Sequence, residues 1–228
     1  VIYNGSIGSM SFDTANSCDE VAYVTPKNKT KISTDGNSTT YEINGGIYTA
    51  PEFGAAGCNR WSRRADLNVY LNDTWYNTLK YNNLITFHKW NVGTVSEEET
   101  NLQTSVNEEK KETWDGKIGL MNVTDYVKAS TNSACTSVSA YVNEKTCYEN
   151  SATHNWIYKD IAEGGDYPWM ITPDVGAAYH VWFVFSSTGD ISGVTGAFNA
   201  GGVAPVLYLS SDISLEGDGT SNSPYTVG

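Results

Sequence analysis

The sequence predicts an α+β domain, and three observations carry that prediction. Ser62 to Lys80 (SRRADLNVYLNDTWYNTLK) places Leu67, Tyr70, Leu71, Trp75 and Leu79 at spacings of three and four, which makes one apolar stripe along a helix. Val181 to Phe185 and Val203 to Leu209 are rich in β-branched and aromatic residues and read as strands. A second helix is expected from Val123 to Ala129, with Asn122 at its cap and Asp125 three residues on, as in a capping box.

The remaining elements follow in chain order. Val1 to Phe12 alternates weakly and reads as a strand with a Gly-containing turn. Val21 to Val24 and Thr39 to Ile43 are short strands, and KNKTKISTDGNS between them carries an Asp-Gly turn that suits a hairpin. Gly45, Gly46, Pro51, Gly54 and Gly57 mark a long loop leading to Cys58. In the helix at 62–80, Ser62 is the expected N-cap. Asn72-Asp73 weakens its middle, so one helix or two short ones fit the pattern. Leu84 to Trp90 is either a strand or a short helix. Gly93 to Trp114 is strongly polar, with Glu97, Glu98, Glu99, Glu108, Glu109 and Glu112 beside Lys110 and Lys111, and reads as a solvated, partly helical surface excursion. Lys117 to Met121 is a strand, and 135–147 a loop. Trp156, Ile157, Tyr158, Tyr167, Trp169 and Met170 form a compact aromatic patch. The last stretch turns at Gly217-Asp218-Gly219 and ends in a short strand.

The 228 residues carry a formal net charge of −12. That argues against a nucleic-acid or anionic-membrane partner, since both require a basic face. Seven Trp and fifteen Tyr stand against only fourteen Lys and Arg. Such a composition suits a domain that binds by surface contact. No transmembrane run and no signal peptide are present. The chain opens in VIYNGSIGSM, which reads as the inside of a domain, so an upstream segment is expected.

Four cysteines, Cys18, Cys58, Cys135 and Cys147, lack Cys-x-x-Cys spacing, which disfavours zinc. Four allow three pairings. The sequential one, Cys18–Cys58 with Cys135–Cys147, is preferred and implies an oxidising compartment. Four buried thiols in a cytosolic protein are the alternative.

Little points to catalysis. His88, His154 and His180 are scattered, without the spacing that binds metal or poises a base. No nucleophile elbow occurs. Glu216-Gly-Asp218-Gly lacks the spaced acidic ligands of a calcium loop, so turn chemistry explains it better. No cofactor, metal or catalytic residue is expected.

Several stretches carry a family resemblance. TWDGKIGLMNVTDYVKAS (113–130), NWIYK (155–159), PWMITP (168–173) and GVAPVLYLSSDISLEGDGTSNSPYTV (202–227) resemble the C-terminal part of a bacterial surface-protein family. Its members often follow a type IV prepilin-like N-terminal helix. IGSMSFDTAN (7–16) and DLNVYLNDTWYNTL (66–79) resemble the family's N-terminal half. The resemblance implies a C-type-lectin-like fold over residues 1–228, with two short helices packed on small antiparallel sheets. That fold is shared with formylglycine-generating enzymes and with the variable proteins of diversity-generating retroelements. Where the family usually has Gly-Val-Arg-Pro-Val, this chain has Gly202-Val-Ala-Pro-Val206. No cysteine pair near the C-terminus matches a formylglycine-generating site, so that activity is not implied.

The resemblance to retroelement variable proteins implies a diversified, ligand-binding segment at 174–201. Its expected contact residues are Tyr179, His180, Phe183, Phe185, Thr188, Asp190, Ser192, Thr195 and Phe198. Strand alternation puts Phe183 and Phe185 on one face, and Trp182 and Val184 on a core face. The expected function is adhesin-like binding of a surface protein or glycan, outside the cell, with no direct membrane contact by this segment. A decorating or packing subunit of a pilus-like filament, joined through an upstream segment, is the second hypothesis. An enzyme of the formylglycine-generating type is the third.

Overall fold

The structure, a computed structural model, describes residues 6–14, 29–35, 38–43, 46–51, 58–63, 65–139, 147–148, 151–162, 165–218, 223 and 225–227. The chain runs through β1 (Ser9–Ser11), β2 (Lys29–Asp35), β3 (Ser38–Ile43), β4 (Gly46–Pro51) and α1 (Asp66–Val69). Next come β5 (His88–Asn91), α2 (Leu102–Glu109), β6 (Thr113–Gly116), β7 (Ile118–Gly119), α3 (Val123–Lys128) and α4 (Ser151–His154). After a π turn (Tyr158–Ala162), the described elements are β8 (Trp169–Pro173), β9 (His180–Val184), β10 (Ile191–Gly196), β11 (Ala200–Gly202), β12 (Val206–Leu207), β13 (Leu215–Glu216) and β14 (Thr226–Val227). Short helices with small antiparallel sheets make this an α+β architecture.

The organising sheet is β10-β9-β8. Its two faces bury two different clusters. Trp169, Ile171, Val181 and Phe183 join Phe12, Trp61, Leu71 and Trp75 on one side. Met170, Trp182, Val184 and Ile191 join Tyr126, Val127, Tyr148 and Ile157 on the other. Successive residues of β8 and β9 therefore alternate between two cores, as the period-2 geometry of a strand requires. This corrects the expected exposed face at Phe183, whose side chain is only 6 % exposed. A sheet covered on both faces reads as a continuous apolar run, as HVWFV does.

The first strand of the described chain joins the C-terminal strands. Strand β1 pairs antiparallel with β11, Met10 opposite Gly201. The run from Val203 to Leu209 is not one strand. It divides into a coil containing Pro205 and the short β12, which pairs with β7. Proline has no amide hydrogen to give a ladder. Leu209 makes an isolated antiparallel bridge to Ile85.

The stretch at 62–80 buries Leu67, Leu71 and Trp75 of its predicted stripe and leaves Tyr70 and Leu79 half-buried, without being one helix. It passes from a 3-10 turn (Trp61–Arg63) through α1 and a π turn (Tyr70–Thr74) to a second 3-10 turn (Trp75–Thr78). Asn72 explains the break. Its amide accepts from the Ile118 N–H at 3.0 Å and donates to the Ile118 carbonyl at 2.9 Å, so the turn is tied to β7. Ser62 does not cap. Its hydroxyl donates to Glu112 instead.

Helix α3 forms where expected, but its cap comes from elsewhere in the chain. The Asn122 amide donates to the Asn91 carbonyl and to the Thr172 hydroxyl. The free amides of Val123 and Thr124 are taken by Thr172 Oγ1 at 3.0 Å and Glu109 Oε1 at 3.2 Å.

Glu109 belongs to the acidic stretch read as solvated, and the structure corrects that reading at three positions. Glu109 is buried, Glu112 meets Arg60 and Ser62, and Glu97 reaches β10. The hairpin at 27–38 is also built differently. The Lys-rich segment is itself the arm β2, and β4 forms where a loop was expected. Val21 to Val24 lie outside the described residues.

Candidate functional site

The nine expected contact residues all lie on or beside β9 and β10, and the structure divides them into groups. The first group lines a cleft. Phe183 and Phe185 from β9 and its end, with Thr195 from β10, face a space of about 270 Å³. Tyr167 and Trp169 from β8 and the residue pair before it complete the wall, and Asn199 from the β10–β11 turn with Ala200 and Gly201 from β11 close it.

Strand register explains the convergence. Trp169 lies directly opposite Phe183 across the β8–β9 pair, so both rings point to the same side. Tyr167 and Phe185 are the next residues on that side of their strands. The four rings meet edge to face. Tyr167 is 6.0 Å from Phe183 and 5.9 Å from Phe185, at 81° and 89°. Phe183 is 4.8 Å from Phe185, and Trp169 is 6.3 Å from Phe183. Offset and perpendicular arrangements of this kind hold aromatic clusters rigid. Tyr167 remains 47 % exposed, at the rim of the cleft.

Gly201 allows the strand to come this close. A Cβ there would lie 2.6 Å from Trp169 Cε2 and 2.9 Å from the Tyr167 carbonyl oxygen. Only a residue without a side chain fits that approach.

A bulge in β10 aims the remaining residues. Ser192 pairs with Phe183 and Thr195 with Val181, so β10 spends one extra residue between them. Glu97 holds the bulge. Its Oε1 accepts from Ser192 Oγ at 2.9 Å and from the Gly193 amide. Ser192 is thus a buried structural contact and does not face the cleft.

Tyr179 and His180 form a second group at the start of β9. Their rings are 4.6 Å apart, and His180 Nδ1 lies 3.7 Å from Asp174 Oδ2. The buried Asn59 amide donates toward the carbonyls of Asp174, Ala177 and His180, and so pins the loop before β9. Burial pushes the Asp174 carboxyl above its usual range, with nearby Glu97 adding to it.

Thr188 and Asp190 sit in the β9–β10 turn. Thr188 Oγ1 donates to Asp190 Oδ2 at 3.0 Å, and Gly189 between them has a φ of 79°, which suits glycine. Phe198, 46 % exposed, sits in the β10–β11 turn outside the cleft lining.

Cys135 and Cys147 are bonded, with Cα atoms 4.6 Å apart. Cys58 is also disulfide-bonded, while Cys18 lies outside the described residues. Among the described residues no group of three or more His, Cys, Asp or Glu could hold a metal ion. Among them too, no helix is long and apolar enough to cross a membrane.

No family profile, curated protein or solved structure matches the chain. Sequence reasoning placed Phe183, Phe185 and Thr195 in it but missed Tyr167, Trp169, Asn199, Ala200 and Gly201. The i, i+2 spacing of Tyr167 and Trp169 just before a strand run was the available signal.

Proposed function

We propose that this chain is a ligand-binding domain of C-type-lectin-like fold, displayed outside the cell, which engages its ligand through the aromatic cleft beside β9. One observation carries the reading. Four aromatic rings converge on an open cleft whose rim is the turn-rich segment at 174–201. Rigid aromatic anchors bordered by small polar residues are the chemistry of a contact surface. At about 270 Å³ the cleft lies just below the range of about 300–1,000 Å³ typical of small-molecule sites. It fits one ring-sized apolar group, which favours a side chain of a protein ligand. Thr195, Asn199 and the Tyr167 hydroxyl supply polar contacts at its edge.

The Cys135–Cys147 bond supports an oxidising, extracellular setting. The functional reading rests on binding and assigns no catalytic residue.

The test is an array of cell-surface proteins and glycans probed with the purified chain. Hits that Phe185→Ala abolishes, without a loss of fold, support the reading. Hits indifferent to Phe185→Ala and Tyr167→Ala would overturn it. Self-association as the sole interaction would favour the filament-subunit hypothesis.

A further inference from the structure

A second cleft, of about 580 Å³, shares no lining residue with the first. Its volume falls within the range of small-molecule sites. One wall is aromatic. The Tyr208 ring stacks on His88 at 3.6 Å and 16°, and Trp90 packs edge-on against both, at 5.3 Å and 5.4 Å. Trp156 adds a second indole to the lining. Tyr208 is 42 % exposed and Trp156 55 % exposed. Single exposed aromatics are ordinary, but two in one concave site present a stacking surface.

The charges in this cleft run against the rest of the molecule. Lys89, Lys110 and Lys128 all line it, in a chain with a net charge of −12. None of the three ammonium groups makes an ion pair with a described residue. Asp125 and the buried Glu109 also line the cleft, likewise without an ion pair to a described residue, so three cations face two carboxyl groups, and burial favours the neutral form of Glu109. Unneutralised lysines gathered in a concave site focus a positive potential there.

We propose that this cleft binds an acidic saccharide, a sugar ring bearing a carboxylate. The aromatic faces of Tyr208 and Trp156 take the C–H face of the ring. The lysines take the carboxylate through charge-assisted hydrogen bonds. Asp125 accepts from ring hydroxyls. That carboxylate also disfavours a polyanionic peptide, because its like charge opposes each added acidic group. This site is independent of the aromatic cleft beside β9.

The experiment titrates the intact chain with digalacturonic acid, with neutral galactobiose and with a poly-glutamate peptide. Digalacturonic acid should bind, and galactobiose should bind at least about tenfold more weakly. Lys128→Gln and Lys110→Gln should each raise the Kd about fivefold and flatten its salt dependence. Trp156→Ala should weaken binding about tenfold and leave the salt dependence intact. Lys159→Gln, the same charge change at an exposed lysine outside the cleft, should change nothing. All four side chains are exposed, so the variants should keep the wild-type unfolding transition. Equal binding of both sugars, no binding, tighter binding of poly-glutamate, or indifference to Trp156→Ala would each overturn the proposal.

Discussion

The Trp169 indole N–H donates to the carbonyl of Met10 at 2.8 Å, joining residues 159 positions apart. Met10 in turn pairs with Gly201, and Gly201 lies against the Trp169 ring. The cleft wall, the first strand and β11 are therefore held as one unit. Trp169→Phe keeps a ring in the wall but removes the donor. The variant should lose about 1–3 kcal/mol in urea unfolding, from the lost bond and the smaller ring. Proteolysis within 6–12 should quicken. Unchanged stability with unchanged protection of that strand would show that the clamp contributes nothing.

The double-sided sheet sets a contrast between neighbours on β9. Trp182 is fully buried, and its indole N–H donates to the Val95 carbonyl at 3.3 Å. Trp182→Ala should cost about 3–5 kcal/mol. Phe183→Ala should cost about 3 kcal/mol, because its ring is core as well as cleft wall. Phe185 is half-buried at the rim, and Phe185→Ala should stay within about 1 kcal/mol. Denaturant midpoints of the three variants give the comparison. A Phe183 variant as stable as wild type would refute the burial argument.

Gly201→Ala tests the close approach of β11. The new methyl group would meet the Trp169 ring and the Tyr167 backbone, neither of which can move freely. Overpacking of this kind should cost about 1–3 kcal/mol and narrow the cleft. A variant with wild-type melting temperature and wild-type ligand binding would contradict it.

Glu109 gives a pH dependence of defined sign. Burial is the main force that raises its carboxyl above the ordinary value of 4.5, while bonds from Thr124 and Thr172 oppose the rise. The folded state thus holds its proton more tightly than the unfolded state. The associated stability is complete below the unfolded value and is lost as pH rises through the folded one. Asp174 shifts in the same direction, so the measurement must be a difference. Stability of the native chain minus that of Glu109→Gln should fall as pH rises from about 4 to 7. A flat difference would mean that Glu109 titrates as if in water.

Replacing Cys135 and Cys147 together by Ser opens a loop of sequence separation 12. The expected loss is about 2–3 kcal/mol, chiefly from a freer unfolded chain. Urea curves of the native chain and the double variant, both without reductant, give the measurement, since reductant would also open the bond at Cys58.

What could be read from the sequence was set by how local each signal is. The stripe Leu67, Leu71, Trp75 was legible because its period is local, and it is buried as expected. Its backbone was not legible, because the break at Asn72 depends on Ile118, far away in sequence. Asn122 was found at the start of α3, but the groups that cap it, Thr172 and Glu109, come from distant segments. The same limit applies to the cleft. Phe183 and Phe185 stood out as large apolar groups in a polar neighbourhood. Gly201 did not, because its role is defined by the ring it touches. The glutamates of 93–114 looked alike in sequence, and only packing distinguishes Glu97 and Glu109 from their solvated neighbours.

The burial of both faces of the β10-β9-β8 sheet also decides where this scaffold can vary. A randomised library that included Phe183 or Ser192 would lose stability in most of its clones, since one residue completes a core and the other holds the bulge against Glu97. Thr188, Val194, Phe198 and Asn199 are exposed on turns and the strand bulge, and Thr195 lies partly exposed at the cleft edge. Thr195 and Asn199 line the cleft, and none of the five belongs to either buried core. A directed-evolution campaign confined to them would remodel the edge of the cleft and the turns while every member kept the parental melting temperature to within a few degrees.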